Sequence, residues 1–425
     1  VLFYSGLELY TDGDYEQALR LFTKATTEQK DAVITARATF WKGETEYVLD
    51  DFKNALLSFK QFSASSGAAA TPEFKNYNYN IAYTYFKLKE YDQAGNYFQN
   101  QIEKGTTDKV RLHDSYLRLA DCRFVTSKYW PAMEAYVKVI ELKSVDADYA
   151  AFQKAISYGF VSKNEKKIEE LNLFLQLYPK SEYRDDAMFE LGNTYVAENK
   201  QDLAIKTYDK LNAEFKNGSF TSKAVLRQGL IYYNSDKDEQ ALVKFKKVAA
   251  DFPKSPEALE AVSTARLIYV DNGRVDEYAT WVRTLDFVAV TDVDLDNDTY
   301  EAAEKQFQQS NTKQAISGFS SYISAFPKGI HALKANFYLA QSYFSDGSES
   351  KSIPNYEYVI AEPRNEFTEQ SLVRLAQIFL KNKECDKAIL VLSRLENEAD
   401  FPQNKTFAQS NLMKCYYESK EYQNS

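Results

Sequence analysis

Four aspartates alternate along one short stretch, Asp292, Asp294, Asp296 and Asp298, at the spacing by which a twelve-residue loop places oxygens around calcium. Such a loop needs glycine at its sixth place and a bidentate glutamate at its twelfth. Asn297 and Ala303 stand there, so the stretch reads as a solvated acidic linker with capping aspartates. The other reactive side chains are scattered. His113 and His331, the two histidines, are far apart and each falls at a predicted helix start, which suits a surface or capping role. Cys122, Cys385 and Cys415 show neither metal-ligand spacing nor Cys-x-x-Cys and read as small core fillers. No glycine-rich phosphate loop, nucleophile elbow or paired-carboxylate signature occurs, and Asp271-Asn272-Gly273 is a turn. The expectation is a protein without enzymatic activity, metal or cofactor.

What recurs instead is a spacing. Ala18, Ala55, Ala94, Ala132, Ala204, Ala241, Ala315 and Ala388 share one phase, and twelve residues before each stands a small residue: Gly6, Gly43, Ala82, Ala120, Gly192, Gly229, Ala303 and Ala376. Four residues after each alanine comes Phe22, Phe59, Phe98, Tyr136, Tyr208, Phe245, Phe319 or Leu392. The period is 37 residues, with three degenerate units in the double steps, about eleven units in all. Two antiparallel helices approach closely only where facing residues are small, and large apolar residues fill the flanks. One such hairpin cannot bury its apolar face alone, so neighbours stack into a solenoid. On this phase Cys385 and Cys415 lie one unit apart and would be able to pair in an oxidising compartment.

Composition limits the partners. A net charge of −9 with mixed signs supplies no basic stripe for a phosphate backbone, so nucleic acid is not expected. No run of about 18 apolar residues exists to span a membrane. A length of 425 would suggest two or three globular domains, a prior that the repetition overrides.

The unit resembles the tetratricopeptide (TPR) family. Its Leu-Gly-x-x-Tyr, Ala-x-x-x-Phe, Pro pattern appears as Leu191-Gly192 with Tyr195, Ala204 and Tyr208, and again as Gly229, Tyr232, Ala241, Phe245 and Pro253. The family's aromatic four before the glycine is replaced by Met188 and Val225. Weaker units fall around 156–175, 265–281 and 340–359. The resemblance implies an all-α TPR superhelical solenoid. Pro179, Pro253 and Pro327 lie 74 residues apart, each ending a second helix, with the following serine placed to cap the next. Tyr178-Pro179-Lys180-Ser181 and Phe252-Pro253-Lys254-Ser255 look like those of bacterial envelope TPR proteins, namely the Tol-Pal-associated coordinator and the lipoprotein of outer-membrane β-barrel assembly. Residues 296–306 with Phe326-Pro327-Lys328-Gly329 resemble long TPR proteins of Bacteroidetes-type bacteria.

In TPR folds the first helices line the concave face. Counting each small residue as position eight, position twelve holds Tyr10, Tyr47, Phe86, Phe124, Phe160, Val196, Tyr233, Tyr269, Phe307, Phe344 and Leu380. Two readings stand for this ladder, packing between units or exposed anchors for a peptide. Polar neighbours at position nine, Glu44, Asp121, Asn193 and Gln341, are either ordinary solvated residues or hydrogen-bonding groups for an extended backbone. The resemblance thus implies a non-catalytic scaffold for a protein or peptide, within a larger envelope complex, periplasmic or outer-membrane-associated, the alternative compartment being the cytoplasm. A glycan-binding protein of the starch-utilisation type is the competing reading. It would need coplanar exposed rings, whereas Trp41, Trp130 and Trp281 fall in different units. A chaperone adaptor would need clustered Lys, Arg and Asn, for which Arg37 and Lys75 are too scattered.

Two places break the rhythm. Residues 285–298 are β-branched and acidic with no helical face, and predict a non-helical insertion or hinge between arrays at 1–284 and 299–425. Pro354 predicts that its helix starts late, near Ile353. Val1 falls at the third position of its unit and Ser425 where a further second helix starts, without polar end units, so the expectation is an excerpt of a longer protein.

Overall fold

A computed structural model describes residues 1–216 and 218–418. The described residues form twenty-three α-helices and two short 3-10 turns, with no strand among them. Two compact units divide at Ala224/Val225. In the first, hairpins pair α1 (Leu2–Thr11) with α2 (Tyr15–Glu28), α3 (Ala32–Val48) with α4 (Phe52–Ala64), and α5 (Tyr77–Lys87) with α6 (Tyr91–Lys104). They continue with α7 (Lys109–Val125) and α8 (Tyr129–Glu141), α9 (Ala147–Phe160) and α10 (Asn164–Leu177), and α11 (Arg184–Ala197) and α12 (Gln201–Glu214). The division falls within α13 (Thr221–Tyr233), most of which belongs to the second unit with α14 (Asp238–Asp251). There follow α15 (Pro256–Asp271) with α16 (Val275–Val282), α17 (Asp292–Gln308) with α18 (Thr312–Ala325), α19 (Ala332–Ser345) with α20 (Glu349–Ala361), α21 (Thr368–Lys381) with α22 (Cys385–Glu398), and α23 (Pro402–Glu418). The second helix expected near Ser425 lies outside the described residues.

Each hairpin turns in the same way. One residue per turn takes positive φ: Gly13, Asp50, Lys89, Ser127, Ser162, Asn199, Asp236, Gly273, Ser310, Gly347 and Lys383, eleven in all. In every case its N–H donates to the carbonyl three residues back, and the next N–H donates to the carbonyl five back. This closes the first helix and satisfies two of its orphan carbonyls. The 37-residue phase is therefore a backbone fact, and all eleven units, degenerate ones included, possess it.

Packing explains the small residues. All eight phased alanines are fully buried, as are the rings four residues on. A Cβ added at Gly6 would lie 2.8 Å from the Phe22 ring, one at Gly43 2.9 Å from Phe59, and one at Gly229 2.6 Å from Phe245. The first helix thus lacks a side chain where the second inserts an aromatic ring.

Prolines 179, 253 and 327 each follow the end of a second helix. Ser255 then caps α15, accepting from the Ala258 N–H at 3.1 Å. Ser181 does otherwise: it donates to Asp148 at 2.6 Å and accepts from the Tyr183 N–H, and α11 has no side-chain cap.

Four expectations change. The stretch 285–298 is non-helical only to Thr291, and α17 begins at Asp292. Thr291 and Asp294 form a reciprocal capping box there, accepting from each other's backbone N–H. Asp296 and Asp298 point inward rather than to solvent: Tyr322 donates to Asp296 at 2.6 Å, and Arg266 forks onto the Asp298 carboxylate. Helical turns thus separate carboxylates that an extended alternation would have gathered. The preceding loop is no boundary, because Leu285, Phe287, Val288 and Val290 pack onto the core of the second unit, and the division lies at 224/225 instead. Finally, Pro354 lies inside α20, which begins at Glu349. Being six residues into the helix, it removes a single bond near the N-terminus, where most N–H groups are already without helical partners.

Candidate functional site

The position-twelve rings have a local role first. Tyr10 packs edge-on against Tyr15, Tyr47 against Phe52, Phe86 against Tyr91 and Phe124 against Tyr129, with centroids 5.3, 5.3, 5.3 and 5.6 Å apart. In each pair the partner opens the second helix of the same hairpin, so the ring clasps its own turn. Contacts also reach the next unit: Tyr10 meets Trp41, Phe307 meets Tyr338, and the Arg374 guanidinium sits 4.3 Å over the Phe344 ring. Tyr47, Phe86, Phe124, Tyr233, Phe307 and Phe344 remain half-buried, keeping part of their surface in solvent.

Phe160 and Tyr269 do not belong to this set. Measured from the turn residues Ser162 and Gly273, the equivalent positions are Gly159 and Val270, so each nominated ring is one residue out of phase. One residue turns a helix face by about 100°. Accordingly Phe160 is 57% exposed, stacked on Tyr129 with centroids 4.8 Å apart, while Tyr269 is 1% exposed. In both units the phased second-helix alanine is replaced, by Lys167 and Tyr278, although Ala155 keeps the small first-helix residue in the unit of Phe160.

The polar neighbours divide similarly. Asp121 accepts from Tyr136 at 2.9 Å, Tyr149 at 3.2 Å and Arg118 at 2.9 Å, so its acceptors are occupied. Asn193 accepts from Tyr208 of its own second helix at 2.8 Å. Asn193 is thus engaged within its own hairpin, whereas Asp121 bonds both its own hairpin and the next. Glu44 accepts from the Asn80 amide, and burial pushes its carboxyl up to about 7 against the opposing effects of that bond and Arg111. Gln341 has a buried amide nitrogen without a protein partner.

Sequence reasoning missed the groups that join these positions into one face. Tyr79 and Tyr83 of α5 both donate to Asp114 Oδ2 of α7, at 2.7 and 2.5 Å. Arg118 lies 3.4 Å from Asp114 and bonds Asp121, while the Arg111 guanidinium covers the Tyr79 ring at 5.1 Å. Burial, then the Asp114 bond, pushes the Tyr83 hydroxyl up to about 12. Through Tyr10 and Trp41, Glu44 and Asn80, Tyr79 and Asp114, and Asp121 and Tyr149, a continuous set of contacts runs over α1, α3, α5, α7 and α9. The signal was present in the sequence: Tyr79/Tyr83 and Asp114/Arg118 are helical pairs four apart, offset by about one unit.

The face presents aromatic edges and preoriented hydrogen-bonding groups. No group of three or more His, Cys, Asp and Glu able to hold a metal occurs among the described residues, and no described helix is long and apolar enough to cross a membrane. His331 stacks on Tyr300 at 4.2 Å and contacts Asn297 at 2.8 Å. The tryptophans form no shared platform: Trp41 donates to Glu73 and meets Tyr10, Trp281 packs with Tyr269 and Tyr278, and Trp130 is exposed beside Tyr158.

Comparisons with known proteins agree with the repeat. Tetratricopeptide-repeat families match residues 5–69, 186–218 and 223–255, and a tetratricopeptide repeat-like domain matches 293–406. No curated protein is detectably similar in sequence. Among solved structures, Naa15/Naa10 bound to HypK-THB is 13% identical with a TM-score of 0.46, covering 99% of this chain, which spans 66% of that one. YrrB, described as a TPR protein with an unusual peptide-binding site, is 17% identical with a TM-score of 0.37, covering 48% of this chain and 96% of its own. The C-terminal part of a TPR repeat-containing protein from Cytophaga hutchinsonii is 18% identical with a TM-score of 0.35, over 61% and 99%. At such identities and superpositions no role passes from them to this chain.

Proposed function

The chain is an all-α tetratricopeptide-repeat protein, and from that architecture we propose that it is a non-catalytic scaffold that holds a protein or peptide along the first helices of its N-terminal unit. The carrying observation is the unbroken polar and aromatic face from Tyr10 to Tyr149. Its groups are fixed by one another before a partner arrives, so little side-chain entropy is lost on binding. Each hairpin adds a small increment, and the array sums them along an extended segment. Charge narrows the partner: Asp114 lies half-buried among tyrosines, which favours backbone N–H groups and cationic side chains over an acidic tail. We place the protein in the bacterial envelope, in assembly or transport of outer-membrane or cell-wall components. That setting rests on the Tyr178-Pro179-Lys180-Ser181 type of unit junction.

Site-specific photo-crosslinking tests both parts. Val48, Lys87 and Val125 each follow a ladder ring and are exposed, while Leu57 and Lys138 are exposed on second helices. A crosslinker at the first three should capture one defined protein from intact envelopes, and at the last two should capture none. Capture only from the second-helix sites would move the binding surface and sink the proposal. Recovery of the chain solely in the cytoplasmic fraction would remove the envelope setting and leave the face intact.

A further inference from the structure

The end of the second unit holds a pair of thiols that the scaffold does not use. Cys385 is the first residue of α22, half-exposed; Cys415 lies in α23, fully buried. Their Sγ atoms are 2.6 Å apart. That is far inside ordinary contact for two sulfurs and close to the roughly 2.05 Å of a disulfide. The two helices pack directly, and Ala388, Leu392, Ala408 and Leu412 share one core cluster with Cys415, so the approach is set by the helices.

We propose that Cys385 and Cys415 form a disulfide that staples α23 onto the preceding hairpin. The oxidant is an oxidised dithiol protein or a low-molecular-weight disulfide. Access assigns the order of events, since only Cys385 reaches solvent. Its S–H points at Glu418 Oε2, 3.5 Å away, which accepts the proton as Cys385 Sγ attacks the oxidant's disulfide. A mixed disulfide forms, and one oxidant sulfur departs and takes up that proton. Cys415 Sγ then attacks Cys385 Sγ, expelling the second oxidant sulfur, which leaves with the Cys415 proton. Two electrons and two protons pass to the oxidant, which ends as two thiols. Burial pushes the Cys415 thiol up to about 12, so the second step begins from the thiol rather than a standing thiolate.

The staple would act on the unfolded chain by closing a loop between residues 385 and 415, holding together helices that otherwise meet only through side chains. Cys122, buried in the first unit and with its thiol likewise pushed up to about 12 by burial, is an internal control that stays reduced.

The test counts thiols in the full chain. Protein is equilibrated with oxidised glutathione, trapped with a maleimide in denaturant, and analysed by intact mass and peptide mapping. The expected result is one labelled thiol, at Cys122, with the peptides of Cys385 and Cys415 linked, and three labelled thiols after reduction. The Cys122→Ser variant should then show none before reduction and two after. Three labelled thiols in the unreduced protein, or a glutathione adduct that persists on Cys385 without resolving, would overturn the proposal.

Discussion

Glu44 is a carboxyl placed where its charge costs most. Burial raises it to about 7, and its neighbours Tyr10 and Tyr47 are raised in turn, first by burial and then by its charge. A raised folded-state value means that the folded chain holds this proton more tightly than the unfolded chain. The contribution is thus fully present below about pH 4.5 and is lost as pH climbs through about 7. Glu44→Gln keeps the acceptor for Asn80 and removes the titration. It should raise stability at pH 8 by up to about 2 kcal/mol and leave it nearly unchanged at pH 4.5, as read from urea midpoints at the two values. Arg266 poses the opposite problem. Its fork neutralises Asp298, which is 1% exposed, while the guanidinium side remains open to solvent. Arg266→Met should cost about 2 kcal/mol by stranding the carboxylate, and the double change with Asp298→Leu should recover most of it.

At the scale of the element, the hairpin turn and the helix crossing are separable. Eight of the eleven turn residues with positive φ are not glycine. A side chain there is strained, so Lys89→Gly and Ser127→Gly should each stabilise by about 1 kcal/mol, seen as a higher thermal midpoint. The crossing responds in reverse. Ala204 is fully buried one turn before Tyr208, whose ring fills the space at Gly192, and Ala204→Leu should cost roughly 1–3 kcal/mol. A variant melting like the parent would show that the phased alanine does not set the approach. These two effects explain why the phase was readable: a crossing tolerates only small residues, whereas a turn accepts Asp, Lys, Ser and Asn at modest cost. The sequence pattern therefore followed the crossing, and it slipped by one residue at Phe160 and Tyr269, where Lys167 and Tyr278 replace the phased alanine.

Across the whole molecule, contacts join neighbouring hairpins, and the chain divides at Ala224/Val225 into two units with their own cores. Stability in such an array is a sum over repeats and their interfaces. Urea unfolding followed by fluorescence and by far-ultraviolet circular dichroism should give non-coincident transitions rather than one two-state curve. Coincident curves would mean that the two units are coupled as strongly as hairpins within a unit.

The sequence by itself determined the all-α class, the 37-residue unit, the number of hairpins and the prolines that end second helices, because each depends on residues near one another in the chain. Side chains four, twelve or sixteen places apart meet in every unit, so their types repeat. Tertiary structure decided what repetition leaves open. It turned residues 292–298 into a helix, since capping by Thr291 and burial of Asp296 and Asp298 outweigh the extended look of the segment. It committed Asp121 and Asn193 to tyrosines of their own hairpins, and it drew Tyr79, Tyr83, Asp114 and Arg118 into one face. The pairings of Tyr79 and Tyr83 with Asp114 cross from one unit to the next, where partner choice depends on how far each hairpin is displaced along its neighbour. No local spacing encodes that displacement; it is fixed by the packing of the interface as a whole.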